Sequence, residues 1–348
     1  MTTLAGRFRA QAEQCGLHGS PLTEALLSGA ADDLEAGGPA AELLEPLGTE
    51  PPGSVPSLRF AGALHRLVLE RRAPALALHY PSVGGTAPVR DLWPTARRSV
   101  HEHLATLREL VCRPVQTNEV GRSAALYGGL LHVAAETGLP VRLLEVGASA
   151  GLNLLVDHFA YRIGDVVLGD PASPVVLDQP WQGPHPVGSA RVVDRRGCDL
   201  APVDPLSTDG RLTLTSYVWA DQLGRLERLR GAFRVAARVL VQVENSTGAT
   251  FLERELAEPR PGVATVVWHS VVRQYLTPDE RDRVDKVLAA AGARADDASP
   301  LHRLTMEPEP ERVGQGSFEF HLELTSWPGG GSRILAVCQG HGPPIRWR

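Results

Sequence analysis

The stretch "RLLEVGASAGLNLL", Arg142 to Leu155, constrains the fold of this chain most. Val141–Val146 reads as a strand that is apolar on both faces, which suits the interior of a parallel sheet. A parallel strand delivers its carboxyl end to the ligand crevice, and here that end carries Glu145. Gly147 and Gly151 have no Cβ, so the backbone can turn tightly and come close to a neighbour. A helix is expected from about Gly151, with free N–H groups and a positive dipole end. The spacing is acid-x-Gly-x-x-x-Gly, whereas a dinucleotide fingerprint is G-x-G-x-x-G. Counted from Gly147, the fingerprint's later glycines fall on Ser149 and Leu152. An acid before the first glycine repels phosphates and suits an ammonium group or ribose hydroxyls. The competing reading is a tight strand-to-helix turn that holds no ligand.

Around this stretch the chain reads as two regions, 1–115 and 116–348. In the first, apolar residues recur at helical spacing: Leu4, Phe8 and Ala12 on one face, and Leu22, Leu26 and Leu27 on another. Ser20-Pro21 has the form of an N-cap followed by Pro at the first helical position. Leu58–Leu69 and Val100–Val111 are further helical candidates. From 116 onward, short apolar runs alternate with helical segments. Strands are expected at Val141–Val146, Ala190–Asp194, Leu212–Tyr217, Val239–Val243 and Val263–Trp268. Helices are expected at 119–137, 151–158, 221–238, 249–257 and 278–291. That alternation predicts a mostly parallel sheet covered by helices. Gly164-Asp165 reads as a hairpin turn, and "DQPWQGPHPVG" as an inserted loop. "SFEFHLELTSW", "WPGGGS" and "RILAVCQG" predict a C-terminal antiparallel hairpin.

Composition narrows the function classes. A net charge of −5 provides no basic field for nucleic acid, and an aromatic content of 5% does not favour base stacking. Basic residues are almost all arginine, with Lys286 the only lysine, as in proteins from GC-rich bacterial genomes. Cys15, Cys112, Cys198 and Cys338 lack CxxC spacing, so neither a zinc knuckle nor a disulfide framework is expected. No apolar run reaches the ~18 residues of a membrane span, and the N-terminus lacks a signal-peptide core. The expectation is a soluble cytoplasmic protein without a metal.

Candidate site residues follow from strand ends. "VWADQ" places Trp219, Asp221 and Gln222 after an expected strand. Asp221 is either a base in the crevice or a helix N-cap, and Trp219 is a stacking wall with Gln222 beside it. "VVWHSVVRQYL" places His269 at a strand end, suited to acid–base chemistry, with Ser270, Gln274 and Tyr275 following. His269 as a satisfied core residue is the alternative. No G-x-S-x-G surrounds Ser270, so it is not a nucleophile elbow. Thr117 can cap a helix whose first turns carry Asn118, Glu119 and Arg122. Asp165 occupies the spacing of a second cofactor acid but sits in the hairpin turn. Asp194 is therefore either that second acid or the start of the turn "DRRG". His101 and His103 point to different sides of a helix, and no metal site is read there.

The loop and the terminal hairpin resemble class I S-adenosylmethionine methyltransferases. The stretches "QTNEVGRSAAL", "LLEVGASAGLNLL", "RGCDLAPVDP", "VWADQ", "WHSVVRQYL" and "GHGPPIRW" together resemble a bacterial family known as domain of unknown function 2332. The resemblance covers nearly the whole chain. It implies a methyltransferase-like, Rossmann-type α/β domain behind a helical N-terminal region. On that basis Glu145, Gly147, Ser149, Gly151 and Asn153 would line S-adenosylmethionine. Asn118 or Arg122 would reach its carboxylate, and Asp194 its ribose. The resemblance assigns no catalytic residue; by strand-end position, His269, Asp221 or Tyr275 would act on a small-molecule acceptor bound by Trp219, Gln222, Ser270 and Gln274. Two other functions stay open: an elimination or cyclisation without the cofactor, and a non-catalytic module binding a protein partner through the helical region.

Overall fold

A computed structural model describes residues 3–50, 52–308 and 319–348. Among these, the helices run α1 Leu4–Leu17, α2 Pro21–Glu35, α3 Pro39–Leu44, α4 Pro56–Leu69, α5 Pro74–Ala77, α6 Leu92–Glu102, α7 Leu104–Val111, α8 Ser123–Thr137, α9 Thr208–Ser216, α10 Leu223–Ala236, α11 Gly248–Glu255 and α12 Pro278–Gly292. The strands run β1 Val141–Val146, β2 Ala160–Ile163, β3 Val166–Gly169, β4 Val176–Asp178, β5 Trp181–Gln182, β6 Val192–Asp199, β7 Gln242–Asn245, β8 Ala264–Ser270, β9 Leu301–Pro308, β10 Phe320–Trp327, β11 Gly331–Gln339 and β12 Gly342–Trp347. Two compact units result: Met1–Thr117 with Ser207–Glu227, and Asn118–Leu206 with Arg228–Arg348.

The first unit is helical. Thr3 caps α1 and Ser20 caps α2, and Pro stands at the start of α2 to α5, where a missing N–H costs nothing. The core gathers Phe8, Leu26, Leu27, Leu43, Leu44, Phe60 and Leu64. Phe8 meets Phe60 edge-on at 5.8 Å. The continuous helix expected over Val100–Val111 is instead broken at His103, between α6 and α7. The expected strand at Leu212–Tyr217 is helix α9. Ser207 caps it, accepting from Gly210 N at 3.0 Å, and Asp209 sits in its first turn. That cap, with Gly210, Leu214 and Ser216 buried, prevails over the local alternation of "LTLTS".

The second unit holds a sheet of order β7-β6-β1-β8-β9-β10-β11-β12-β5 among the described residues. From β7 to β9 all neighbours are parallel, and β9 to β12 form an antiparallel meander. The sequence pattern anticipated this mostly parallel sheet with antiparallel C-terminal strands, although β9 and the tail strand β12 escaped it. Residues 317 and 318 of the expected hairpin lie outside the described residues. One face of the sheet is covered by α11 and α12, where Leu144, Val146 and Val267 pack against Phe251, Leu252, Val284 and Leu288. The other face carries α8. A side chain at Gly128 would overlap Trp347, and one at Gly129 would overlap Leu304, so this glycine pair lets the helix lie close to β9 and β12. The insertion between β1 and β6 forms a separate sheet, β3-β2-β4. Tyr161 on β2 stacks on Tyr127 of α8 at 4.5 Å, and Trp181 Nε1 donates to Ala124 O at 3.0 Å. These contacts bind the insertion to the α8 face.

Substituting Gly129→Val forces a branched side chain into fully buried Leu304. It is expected to lower stability by about 1–3 kcal/mol, read from the urea unfolding midpoint.

Candidate functional site

Asp199, Glu145, His269 and Glu307 stand at the carboxyl ends of β6, β1, β8 and β9, on one edge of the parallel sheet. Strand order runs outward in both directions from β1, which makes this edge a switch point of the kind that binds ligands. Glu145 pairs in register with Trp268 and Gly197. Its neighbours Leu144 and Val146 point at α11 and α12, so alternation turns Glu145 to the opposite face. There it is only 2% exposed. Burial first, and the nearby Asp199 carboxylate second, push the Glu145 pKa well above the ordinary glutamate range. Arg122, Trp268 and Asn153 offset only part of this. Glu145 Oε2, Asn153 Oδ1 and Trp268 Nε1 are all buried without a well-formed hydrogen bond. Trp268 and Asn153 approach Glu145 closely enough to lower its pKa, but not in the geometry of strong hydrogen bonds.

The glycine loop is tightly tied. Gly147 N and Ala148 N both donate to Cys198 O at 2.9 Å. Ser149, at φ 54°, donates its N–H to Asp199 Oδ2 at 2.9 Å, and Ala201 N donates to Asp199 Oδ1 at 2.9 Å. The expected helix is a 3₁₀ stretch, Leu152–His158, and its first N–H is already taken by Asn118 Oδ1 at 2.9 Å. The first N–H of this start is thus used inside the protein. Gly147 and Gly151, at φ 72° and 71°, need a residue free of Cβ strain. Val272 covers the open side of Gly147, and Val243 and Val241 cover that of Gly151.

Arg122 spans the rim. Its Nε donates to Gly340 O at 2.9 Å and its Nη1 to Ser270 O at 3.2 Å. Past Ser270 the chain turns at Val271, a β-branched residue held at φ 55°, an uncommon conformation that marks a constrained site. Gln274 and Tyr275 follow in a 3₁₀ turn and are exposed. Partial desolvation raises the Tyr275 pKa, and Arg122 opposes that rise.

Asn118, Arg122, Glu145, Gly147, Ser149, Gly151, Asn153 and Ser270 thus gather at one place. Other expected residues do not. His269 follows Trp268 and so faces the α12 side, away from Glu145. Asp194 lies near the start of β6, not its end. There it forms ion pairs with Arg142 at 3.3 Å and Arg260 at 3.2 Å. The strand-end acid is Asp199, five residues on, because β6 continues through "DRRGCD". Its arginines find partners that the sequence hides: Arg195 bonds Asp157 at 2.7 Å. Asp221, Gln222 and Trp219 belong to the first unit. Asp221 accepts from Ser20 Oγ at 2.6 Å and Leu22 N at 3.0 Å, so it secures the start of α2. Gln222 donates to His18 O at 2.8 Å, and Trp219 packs on that unit's core.

The model of a family described as an uncharacterized protein conserved in bacteria, DUF2332, matches residues 5–347. The chain belongs to this family. No curated protein matches it. Among the described residues of this DUF2332 protein, no helix is long and apolar enough to cross a membrane. Nor does any group of three or more His, Cys, Asp or Glu side chains stand ready to hold a metal ion.

Two outcomes are expected of this DUF2332 chain. Because the fold favours protonated Glu145, its contribution to stability is full below the ordinary value of 4.5 and is lost as pH rises through the elevated folded value. Glu145→Gln should therefore unfold at higher urea than the wild type at neutral pH, with the gap closing toward about pH 4. Asp221→Ala should cost about 1–2 kcal/mol, read as a lower unfolding midpoint.

Proposed function

We propose that this protein is a small-molecule methyltransferase that binds S-adenosylmethionine at the ends of β1 and β6. The observation that carries the reading is the pair of acids, Glu145 and Asp199, on adjacent parallel strands, with the Trp268 and Asn153 side chains against buried Glu145. Numbered among themselves, the parallel strands run 3-2-1-4-5, a Rossmann-type order in which the acid ending the second strand holds ribose hydroxyls. Asp199 occupies that position. Its carboxylate accepts from Ser149 N and Ala201 N, which fixes its position at the strand end. Glu145 suits the cofactor's ammonium group, and a cation there favours its ionised form, so binding releases its proton to solvent. Trp268 Nε1 has a hydrogen to donate, and Asn153 Oδ1 a lone pair to offer. The cofactor, when bound, supplies an electrophilic methyl group. Arg122 holds the rim between Ser270 and Gly340, and Gln274 and Tyr275 stand exposed nearby for an acceptor.

A second reading has its own observation. Val272 and Val243 cover the open sides of Gly147 and Gly151, as in a fold that keeps its loop for packing and performs elimination or cyclisation without the cofactor.

Titration calorimetry with S-adenosylmethionine separates the two. The first reading expects saturable binding with heat that depends on the buffer's ionisation enthalpy. Glu145→Gln should remove that dependence, and Asp199→Asn should weaken binding about tenfold or more. Absence of binding at millimolar cofactor rejects the first reading in favour of the second.

A further inference from the structure

On the sheet face opposite Glu145, one carboxylate oxygen collects three donors. Glu307 Oε1 lies 2.7 Å from His269 Nδ1 and accepts from Val272 N at 3.0 Å and Arg273 N at 3.4 Å. Burial, the largest single effect on Glu307, favours protonation. The His269 hydrogen bond and charge, with the two backbone donors, outweigh it and hold the pKa below the ordinary range. An ionised carboxylate can only accept, so Nδ1 must carry the hydrogen. In neutral imidazole the lone pair then sits on Nε2. Nε2 makes no hydrogen bond among the described residues, and the residue as a whole is 4% exposed.

The surroundings keep this arrangement undisturbed. From α12, Asp285 clamps Arg273 through two contacts of 3.0 Å and also accepts from Arg303 of β9 at 3.2 Å. Both guanidinium groups are thereby engaged, and neither competes with His269 for Glu307. Val271 at φ 55° redirects the chain after β8, and the N–H groups of Val272 and Arg273 reach Glu307 from that turn.

We propose that His269 and Glu307 form an acid–base dyad, with His269 the catalytic base and Glu307 its positioning residue. The substrate class is a neutral hydroxyl, thiol or amine. Its X–H bond breaks, the proton passes to Nε2, and the electron pair stays on X. The resulting imidazolium faces the Glu307 carboxylate, as in other carboxylate–histidine pairs. This assignment does not depend on which cofactor, if any, the Glu145 side binds.

Two measurements on the whole protein test it. Nitrogen NMR of ¹⁵N-histidine-labelled protein, with His269 assigned by loss of its signal in His269→Gln, is expected to show the neutral ring protonated on Nδ1. Diethyl pyrocarbonate is expected to modify His269 in the folded protein, followed on tryptic peptide 255–273, whose one histidine is His269. Glu307→Gln should mix the tautomers and slow modification about tenfold, with partial recovery in Glu307→Asp. A wild-type ring protonated on Nε2, an unmodified peptide, or Glu307→Gln reacting at the wild-type rate each overturns the dyad. Should Glu307→Gln fail to fold, the wild-type tautomer still decides.

Discussion

Parallel pairing of β6, β1, β8 and β9 brings four carboxyl ends to one edge of the sheet, and the candidate site follows from that constraint. Each of those ends carries an ionisable group: Asp199, Glu145, His269 and Glu307. The period-two alternation of a strand then sorts them. Glu145 meets Trp268, Asn153 and Arg122 on one face, while His269 meets Glu307 and Asp285 on the other. One edge thus supports two different environments separated by the thickness of a single sheet.

Those environments push two glutamates in opposite directions. Glu145 is desolvated beside another carboxylate with only partial relief from Arg122, so the neutral acid is favoured. Glu307 is buried as well, yet three donors converge on one of its oxygens and keep it ionised. Burial alone does not set the state of a carboxyl group; the count of donors aimed at it does. Pairs of titratable groups driven apart in this way are a common arrangement for separating acid and base roles.

Much of the frame was legible in the chain itself. The apolar run Val141–Val146 and the run ending at Trp268 marked central strands, because both faces of a parallel strand need apolar side chains. Ser20-Pro21 marked the start of α2 through its local capping chemistry. The misreadings share one cause. "LTLTSY" alternates as a strand would, yet a Ser207 cap and tertiary burial make it α9. "DRRGCD" looks like a turn, yet ion pairs such as Arg195 with Asp157 let charged residues sit within β6. The acid at the end of this strand is therefore Asp199, and Asp194, open in the sequence between a ligand acid and a turn start, lies near the strand's beginning. "VWADQ" stood out too, but its polar groups serve the start of α2 in the helical unit.

What the sequence by itself determined is local or periodic: the strand, the acid and glycines of the loop, the helix caps, and the division between helical and alternating regions. These depend on covalent geometry and on neighbours a few residues away. Only the tertiary structure decided which strand ends meet, which face each side chain takes, and which carboxyl groups lose their water. Glu307 is the plainest case. Nothing in "TMEPEP" distinguishes it from any surface acid, because its role comes from His269, 38 residues earlier in the chain. Long-range pairing of this kind depends on sheet register and burial, and neither is written in the local sequence.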